Sequence, residues 1–241
     1  MNDYAVQTEN LGKRFGKFEA VKNLNLAVPE GEIFGFLGAN GAGKTTAIRM
    51  LCGLLLPSSG AGKVAGFDIL TENEKIKQHI GYMSQKFSLY EDLTLEENIE
   101  FYGGVYGLRR NALLTKRNQL LQELELTEQA QMITRALPLG YKQRLALGCA
   151  LLHDPEIVFL DEPTGGVDPE ARRNFWDLIY AMARRGKTIF VTTHYMDEAE
   201  YCHRVSIMYA GEIIALDSPQ ALKQKYGKET MQEVFIHLVD R

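Results

Sequence analysis

The chain has 241 residues and a slight acidic excess, 31 Asp and Glu against 27 Lys and Arg, for a formal net charge of −4. This length allows one large domain or two small ones, and the charge provides no basic field to hold a nucleic acid, so we expect no nucleic-acid partner. The longest uncharged stretch, Met50 to Gly62, is shorter than the ~18 residues of a membrane-spanning helix. Residues 1–4 predict no secretory signal. Three scattered cysteines without a CxxC pair are typical of a reducing cytoplasm: Cys52, Cys149 and Cys202.

The first third of the chain predicts a strand that leads through a glycine loop into a helix. Apolar residues alternate with polar or small ones between Val21 and Val28, and the run Ile33–Leu37 is continuously apolar. This order is typical of an outer strand that leads into a buried one. Residues 38–43 form a glycine loop, and residues 44–52 contain no helix breaker. Strand, loop and helix therefore follow in the order of a phosphate-binding βα unit.

The middle of the chain predicts a helical insertion, roughly residues 86–152. Thr94 and Glu97 have the spacing of a capping box, which opens a helix. Apolar residues at helical spacing favour two successive helices in an otherwise α/β chain: Leu95, Ile99, Tyr102 and Tyr106, then Leu113, Leu114, Leu120, Leu121 and Leu124.

The last third returns to alternating strands and helices. We predict strands at Ile157–Leu160 and Thr188–Val191 around a helix whose apolar face includes Phe175 and Ile179. Parallel strands linked by helices follow from this alternation. Residues 205–209 and 213–216 predict a closing hairpin, Ser218-Pro219 opens a last helix, and no repeat or second domain follows.

Residues 38–45 match the phosphate-loop pattern GxxxxGK[ST], in which backbone N–H groups surround phosphate oxygens. Lys44 would lie on the β- and γ-phosphates, Thr45 would offer its hydroxyl to Mg²⁺, and Thr46 would add a phosphate contact. The alternative is a glycine turn that only caps a helix, but the pattern arises by chance in roughly one such chain in a hundred. The predicted nucleotide-binding residues are Gly38, Asn40, Gly41, Gly43, Lys44, Thr45 and Thr46.

A pair of carboxylates follows the apolar strand Ile157–Leu160 and has the form of a Walker B motif. Asp161 would hold the Mg²⁺ shell, and Glu162 is the candidate general base for an attacking water. Two solvated acids at the end of a strand are the plain alternative. The phosphate loop in the same chain favours the catalytic interpretation.

The order of these motifs resembles the ATP-binding subunits of ABC transporters over nearly the whole chain. It comprises the phosphate loop, Tyr82-Met83-Ser84-Gln85, Leu137 to Arg144, Asp161 to Thr164, Val167-Asp168 and His194. The segment Thr192–Glu200 is similar to the drug-exporter branch of the daunorubicin-resistance type. The resemblance implies an α/β P-loop NTPase fold, a mainly parallel sheet with an antiparallel β-subdomain at its edge and an inserted helical subdomain. The implied single ABC ATPase domain consists of residues 1–85 and 153–228 as the core, 86–152 as the helical insertion and 229–241 as a tail.

The resemblance also implies roles for single residues. Phe15 matches the aromatic that stacks on adenine, Gln85 the glutamine that reaches Mg²⁺ and the attacking water, and His194 the switch histidine near the γ-phosphate. Asp168 lies where the family has its dimer-communication loop. Each has a structural alternative: a core phenylalanine, a surface glutamine, a structural histidine, and for Asp168 a helix N-cap before Pro169.

The signature segment departs from the family pattern. The family sequence LSGGxxQR is LPLGYKQR here, so a proline replaces the serine and a leucine the first glycine. This change removes a hydroxyl and a backbone N–H that would face the γ-phosphate of the opposite subunit. Pro138 alternatively just starts a helix. We predict a weakened signature made by Leu137, Pro138, Leu139, Gly140 and Gln143.

The resemblance implies an ATPase subunit that uses ATP and Mg²⁺ to power export through a separate membrane permease. It would pair with a second ABC ATPase domain, in a homodimer or heterodimer, and lie on the cytoplasmic face of the membrane. A groove near Gln85, with Phe87, Leu89, Tyr90 and Leu93, would receive the permease, unless these residues pack within the insertion. Alternatives are a soluble ABC ATPase acting on ribosomes or DNA, and a nucleotide-binding subunit with little turnover.

Overall fold

The computed structural model describes residues 4–240. Residues 1–3, where the sequence predicts no secretory signal, and Arg241, the end of the predicted tail, lie outside them. The N-terminal part forms a four-stranded antiparallel sheet in the order β2-β1-β4-β5. Its strands are β1 (Tyr4–Phe15), β2 (Phe18–Pro29), β4 (Ser59–Val64) and β5 (Phe67–Asp68).

The alternation of apolar and polar residues between Val21 and Val28 predicts β2, whereas no pattern in the sequence predicted β1. In β1 the pairing register shifts between Thr8 and Leu11 against β2 and between Glu9 and Gly12 against β4, and Asn10 adopts a left-handed conformation with φ +49°. Such a bulge inserts an extra residue, which breaks the two-residue period that identifies a strand.

A six-stranded, mainly parallel sheet forms the centre of the molecule, in the order β10-β9-β3-β8-β7-β6. All its neighbours pair in parallel except the hairpin of β9 and β10. This arrangement confirms the predicted α/β fold with a closing hairpin. The strands are β3 (Ile33–Leu37), β6 (Ile80–Met83), β7 (Ile157–Asp161), β8 (Thr188–Thr193), β9 (Arg204–Tyr209) and β10 (Glu212–Asp217).

Hydrophobic clusters cover both faces of this sheet, because successive side chains of a strand point to opposite faces. Leu37, Leu160 and Val191 pack into one cluster with the middle helices. Phe159 and Phe190, whose ring centroids are 4.8 Å apart, belong to the other, beside the first helix and the antiparallel sheet. Burial on both faces explains the continuous apolar runs in these strands.

Three α-helices and two short 3₁₀ helices lie between β6 and β7, where the sequence predicts the insertion. The first is opened by the predicted capping box, with Thr94 and Glu97 each accepting a backbone N–H of the other. Within residues 4–240 no helix is long and apolar enough to cross a bilayer. The α-helices are α1 (Lys44–Leu51), α2 (Asn73–His79), α3 (Leu95–Val105), α4 (Arg110–Glu123), α5 (Leu139–Leu151), α6 (Pro169–Arg184), α7 (Pro219–Tyr226) and α8 (Met231–Val239).

The prediction that the helix at Ser218-Pro219 is the last one is wrong, because α8 follows it inside the predicted tail. Ser218 does cap α7. A second capping box, Thr230 with Glu233, opens α8, whose Met231 and Val234 are buried. The helix packs against α7 and the 3₁₀ helix Met196–Tyr201. The spacing of Thr230 and Glu233 was a readable signal for this helix.

Candidate active site

Four adjacent parallel strands end at one edge of the central sheet and bring the predicted site residues together. Their order is β3-β8-β7-β6, and ligands of open α/β sheets bind at this carboxyl edge. The phosphate loop follows β3, and Gln85 comes two residues after the end of β6. Asp161 ends β7 with Glu162 next to it, and His194 comes directly after β8.

The phosphate loop surrounds a cavity of about 370 Å³, a size within the range of ligand pockets. Gly43 has φ +106°, and a Cβ there would lie 2.5 Å from the carbonyl oxygen of Ala20, so the loop requires glycine at this position. Gly41, with φ +83°, also needs a conformation that other residues rarely adopt. The lining consists of residues 40–46 with Phe18, Ala20, Gln85 and Glu162.

Lys44 holds its cation inside the loop. The side chain is only 4% exposed, and its Nζ donates to the carbonyl oxygens of Gly38 at 2.7 Å and Ala39 at 3.2 Å. Burial lowers the pKa of Lys44, and the negative charge of Glu162, whose Oε1 lies 3.6 Å away, opposes that shift. A cation is thus fixed where a phosphate would meet the loop.

Asp161 is a buried carboxylate that hydroxyl groups orient. Its Oδ1 accepts hydrogen bonds from Thr45 at 3.1 Å and Thr192 at 2.7 Å, and its Oδ2 accepts one from Tyr82 at 3.5 Å. Burial, and secondarily the charge of Asp161, raises the pKa of Tyr82 to about 12, so its hydroxyl stays a donor. Thr192 also accepts the backbone N–H of Glu162 at 2.8 Å. Thr192 therefore orients both acidic residues. The sequence did not reveal this role, although Thr192 is a polar residue directly after the predicted apolar strand.

The Glu162 carboxylate lies close to three other predicted site residues, Lys44, Gln85 and His194. Its Oε2 accepts a hydrogen bond from Gln85 Nε2 at 3.0 Å, and Lys44 lies near its Oε1. His194 Nδ1 is 3.3 Å from Oε2, although the two atoms do not form a hydrogen bond. The backbone of Glu162 is left-handed, with φ +49°, an unusual conformation that occurs often at functional sites. A carboxylate in this position can take a proton from a water at the end of the loop.

The neighbouring oxygens of Thr45 and Asp161 fit a magnesium ion, and the amide oxygen of Gln85 is the third ligand that the sequence predicts. Hydroxyl, carboxylate and amide oxygens are hard ligands of the kind Mg²⁺ prefers, and the first two lie next to each other. In residues 4–240 no group of three or more His, Cys, Asp or Glu side chains has the geometry of a metal site.

The aromatic residue that lines the phosphate-loop cavity is Phe18, not the predicted Phe15. Phe18 is 63% exposed, and the two residues are paired across the β1–β2 turn. Phe15 is half-exposed, and the ammonium of Lys13 lies 5.2 Å from its ring centroid. Both residues stand at a strand end, so the sequence alone does not distinguish them. An adenine role for Phe15 stays a prediction.

The signature segment packs on the chain that follows Glu162 and is absent from the cavity lining. Pro138 is the N-cap of α5 and provides no side-chain cap, and Leu139 is 40% exposed. Leu137 is buried, as is Gln143, whose Nε2 donates to the carbonyl oxygen of Pro163. Gly140 faces the Ala171 side chain of α6, at 3.5 Å for a Cβ built on the glycine.

Asp168 is the N-cap of α6, as its structural alternative predicts. Its Oδ1 accepts the backbone N–H of Ala171 at 2.9 Å, and Pro169 is the first residue of the helix. Capping explains its residue type, and the dimer role stays a prediction.

The geometry defines a P-loop NTPase, with a phosphate loop between a buried parallel strand and a helix and paired acids after a neighbouring strand. The sequence profile described as "ABC transporter" matches residues 21–165. The chain belongs to this family, which confirms the resemblance predicted from the sequence.

Named relatives agree with the drug-exporter branch. The probable multidrug ABC transporter ATP-binding protein YbhF of Escherichia coli is 49% identical over 97% of this chain, which spans only 41% of that protein. The daunorubicin resistance ATP-binding protein DrrA3 of Streptomyces coeruleorubidus is 34% identical over 97% of this chain and 74% of its own length. A solved ATP-binding cassette, a dimer in a post-hydrolysis state with ADP and Pi, superposes with a TM-score of 0.79, at 28% identity over 88% of this chain and 98% of that one.

Proposed function

We propose that this chain binds and hydrolyses ATP to power the export of a substrate through a separate membrane permease. The observation that carries the proposal is the convergence of Lys44, Gln85 and His194 on the Glu162 carboxylate beside the phosphate loop. The names of the multidrug and daunorubicin-resistance relatives support export.

In this proposal the chain positions ATP and a water rather than forming a covalent bond to either. The loop N–H groups and Lys44 bind the phosphates, and Glu162 accepts a proton from the water that attacks the γ-phosphate in line. Gln85 and His194, in contact with that carboxylate, orient it and the water. Thr45, Asp161 and Gln85 would hold Mg²⁺, which when bound neutralises charge on the phosphates.

A second ABC ATPase domain is the proposed partner at the nucleotide. Residues 137–140 do not line the cavity of their own chain, so their helix start is available to cover the phosphate loop of another domain. The solved cassette described above is a dimer, which supports this pairing in homodimeric or heterodimeric form.

The proposed permease surface lies on the insertion, residues 86–152, after Gln85. Tyr90 is 47% exposed, and its ring centroid lies 4.5 Å from that of Phe101, which is also exposed. Phe87 and Leu89 instead pack against the main hydrophobic cluster, so they support the surface from below. Exposed aromatic side chains on the insertion that follows Gln85 suit helix-in-groove docking. The chain would then lie on the cytoplasmic face of the membrane, held there by the permease.

The proposal is tested by phosphate release from the Glu162→Gln variant. Turnover should fall roughly 10²- to 10⁴-fold because general-base catalysis has about this value, while ATP binding persists. Glu170→Gln, in the exposed first turn of α6, should behave as the parent does. Phosphate release within a few-fold of the parent would remove Glu162 as the base. A parent that binds ATP without releasing phosphate would favour the alternative of little turnover, and co-sedimentation with ribosomes instead of a permease would favour the soluble one.

A further inference from the structure

Glu198 is a fully buried acid that the proposed chemistry does not use. It lies on the 3₁₀ helix Met196–Tyr201, four residues after His194, and is 0% exposed. Its Oε1 accepts a hydrogen bond from the hydroxyl of Thr164, whereas its Oε2 has no hydrogen-bond partner within residues 4–240. Burying a carboxylate is costly unless its contacts compensate.

The Glu198 carboxylate joins three segments at the nucleotide site. Thr164 comes two residues after Glu162, so its hydrogen bond ties the 3₁₀ helix to the segment that follows the candidate base. Arg172 of α6 places its Nε 3.5 Å from Glu198 Oε1. The guanidinium carbon of Arg172 also lies 4.2 Å from the ring centroid of Tyr195, and that ring is 4.2 Å from the ring of His194.

The contact between His194 and Glu162 depends on the placement of these segments. The two residues follow different strands, and their side chains approach within 3.3 Å. Thr192 joins the ends of the two strands through its bonds to Asp161 and to the backbone of Glu162. Glu198 and Thr164 form a second connection, farther along both segments. A shift of about 1 Å in such a pair is enough to reduce turnover severely.

We propose that Glu198 is a positioning residue that holds His194 in place against Glu162. The carboxylate acts through Thr164 and Arg172 and does not touch the nucleotide. The inference rests on the proposed function, because it requires His194 and Glu162 to act in ATP hydrolysis.

The test is a double-mutant cycle that combines Glu198→Gln with His194→Ala. Glu198→Gln keeps the shape of the side chain and removes its charge beside Arg172. It should reduce kcat roughly 10- to 100-fold. It should change KM for ATP less than about twofold, because the phosphate loop that would bind ATP follows a different strand, β3. In the His194→Ala background the same change should lower kcat less than about twofold, because the side chain that Glu198 positions is already absent.

A second pair of variants separates positioning from folding. Thr164→Val removes the hydroxyl that binds Glu198 and should lower kcat similarly, whereas Thr164→Ser keeps the hydroxyl and should restore most of the rate. Glu32→Gln is the matched control, because Glu32 is a buried acid paired with Arg204 at the opposite end of β3. Any effect of that control should be the same with and without His194.

The outcomes distinguish this inference from the proposed function. If Glu198→Gln lowers kcat equally in the parent and in the His194→Ala background, Glu198 is only structural and the inference fails. The same holds if Thr164→Ser is as slow as Thr164→Val. A parent without ATP hydrolysis contradicts the proposed function, and a parent rate that His194→Ala leaves unchanged contradicts the proposed catalytic role of His194.

Discussion

In the proposed dimer each ATP site has two halves, the phosphate loop of one domain and the signature segment of the other. In this chain the two halves differ in how far their polar groups are buried and hydrogen-bonded. At the phosphate loop, Lys44 and Asp161 are buried and bonded to neighbouring polar groups. At the start of α5, Pro138 offers neither a side-chain cap nor an N–H, and Leu139 is exposed. The half proposed for catalysis thus has buried, hydrogen-bonded polar groups, whereas the proposed signature half offers fewer polar groups to a phosphate.

This difference has a consequence for dimers. A homodimer would place the same reduced signature over both ATP sites. A heterodimer with a domain that carries the full LSGG start would have one competent site, built from this phosphate loop and that signature, and one degenerate site. We propose the heterodimer, because in a homodimer both phosphate loops, with their complete set of predicted catalytic residues, would be covered by a weakened signature.

Lys44→Ala should have the largest effect on ATP binding, because it removes the buried cation of the phosphate-loop half. We expect ATP affinity to fall by more than about 100-fold, as happens when one partner of a buried charge pair is removed. Titration calorimetry measures the loss. Lys187→Ala is the control, since that lysine binds Asp154 and the Pro155 carbonyl away from the loop. Retained micromolar affinity in Lys44→Ala would contradict the phosphate-loop assignment.

Phe18→Ala should weaken ATP binding by an intermediate amount. Stacking on a base contributes ~1–3 kcal/mol, which corresponds to roughly 5- to 150-fold in affinity, and Phe18 is the aromatic that lines the cavity. The same titration with Phe15→Ala, a change of equal size across the β1–β2 turn, should show less than about a threefold loss. The reverse order would support the adenine role that the family resemblance implies for Phe15.

Tyr90→Glu should separate ATP hydrolysis from transport. The exposed ring lies outside the catalytic half, so we expect the ATPase rate of the isolated chain to stay within about threefold, while assembly with the permease and transport are lost because the charge disrupts an apolar contact. Tyr209→Glu, which changes a tyrosine of similar exposure on β9, should leave both unchanged. Normal assembly and transport by Tyr90→Glu would count against this surface.

His153, unlike His194, lies outside the proposed site, and we expect it to have a small effect on stability rather than on catalysis. Burial lowers the pKa of His153, whose ring stacks on Tyr106 at 3.9 Å and whose Nε2 lies 2.9 Å from the Ile80 carbonyl oxygen. Because the unfolded chain binds the proton more tightly, the free energy of unfolding should decrease as pH falls from about 6.5 towards the lowered pKa.

Thermal unfolding of the parent and His153→Gln tests this effect. The variant should lose that part of the pH dependence, a change on the order of 1–2 °C in Tm. Identical slopes of Tm against pH in both proteins would contradict the lowered pKa of His153. His79 and His203 also have structural partners, the Lys75 carbonyl oxygen and the backbone N–H of Ile33.

Local patterns predicted the parts of the molecule whose causes are local. The phosphate loop, the Thr94–Glu97 capping box and the strand before Asp161 depend on neighbours in sequence, and the structure contains all three elements. The bulge at Asn10 concealed β1, because one inserted residue reverses the alternation. The helix α8 was within reach, since Thr230 and Glu233 repeat the spacing of the first capping box.

The remaining site residues could not be predicted because their surroundings come from distant segments. Thr192 gains its role only when β8 lies beside β7, and Glu198 only when its helix meets Thr164. Phe18 lines the cavity because β2 begins beside the phosphate loop, where the Ala20 carbonyl oxygen would lie 2.5 Å from a Cβ on Gly43. The family resemblance assigned Gln85 and His194, which spacing alone would leave as surface residues.

The most direct test of this account is whether a full signature in trans activates the parent chain. The triple variant Pro138→Ser, Leu139→Gly, Glu162→Gln carries the LSGG start but lacks the base, so any hydrolysis in a mixed dimer occurs at the parent's own phosphate loop. We expect this variant to raise the ATPase rate of the parent on the order of ten- to a hundredfold, the value of a hydrogen bond to a charged group, with cooperative dependence on ATP. Glu162→Gln alone, with the native Pro138-Leu139, should not. A parent that is already fast and cooperative, and that neither variant alters, would contradict the account.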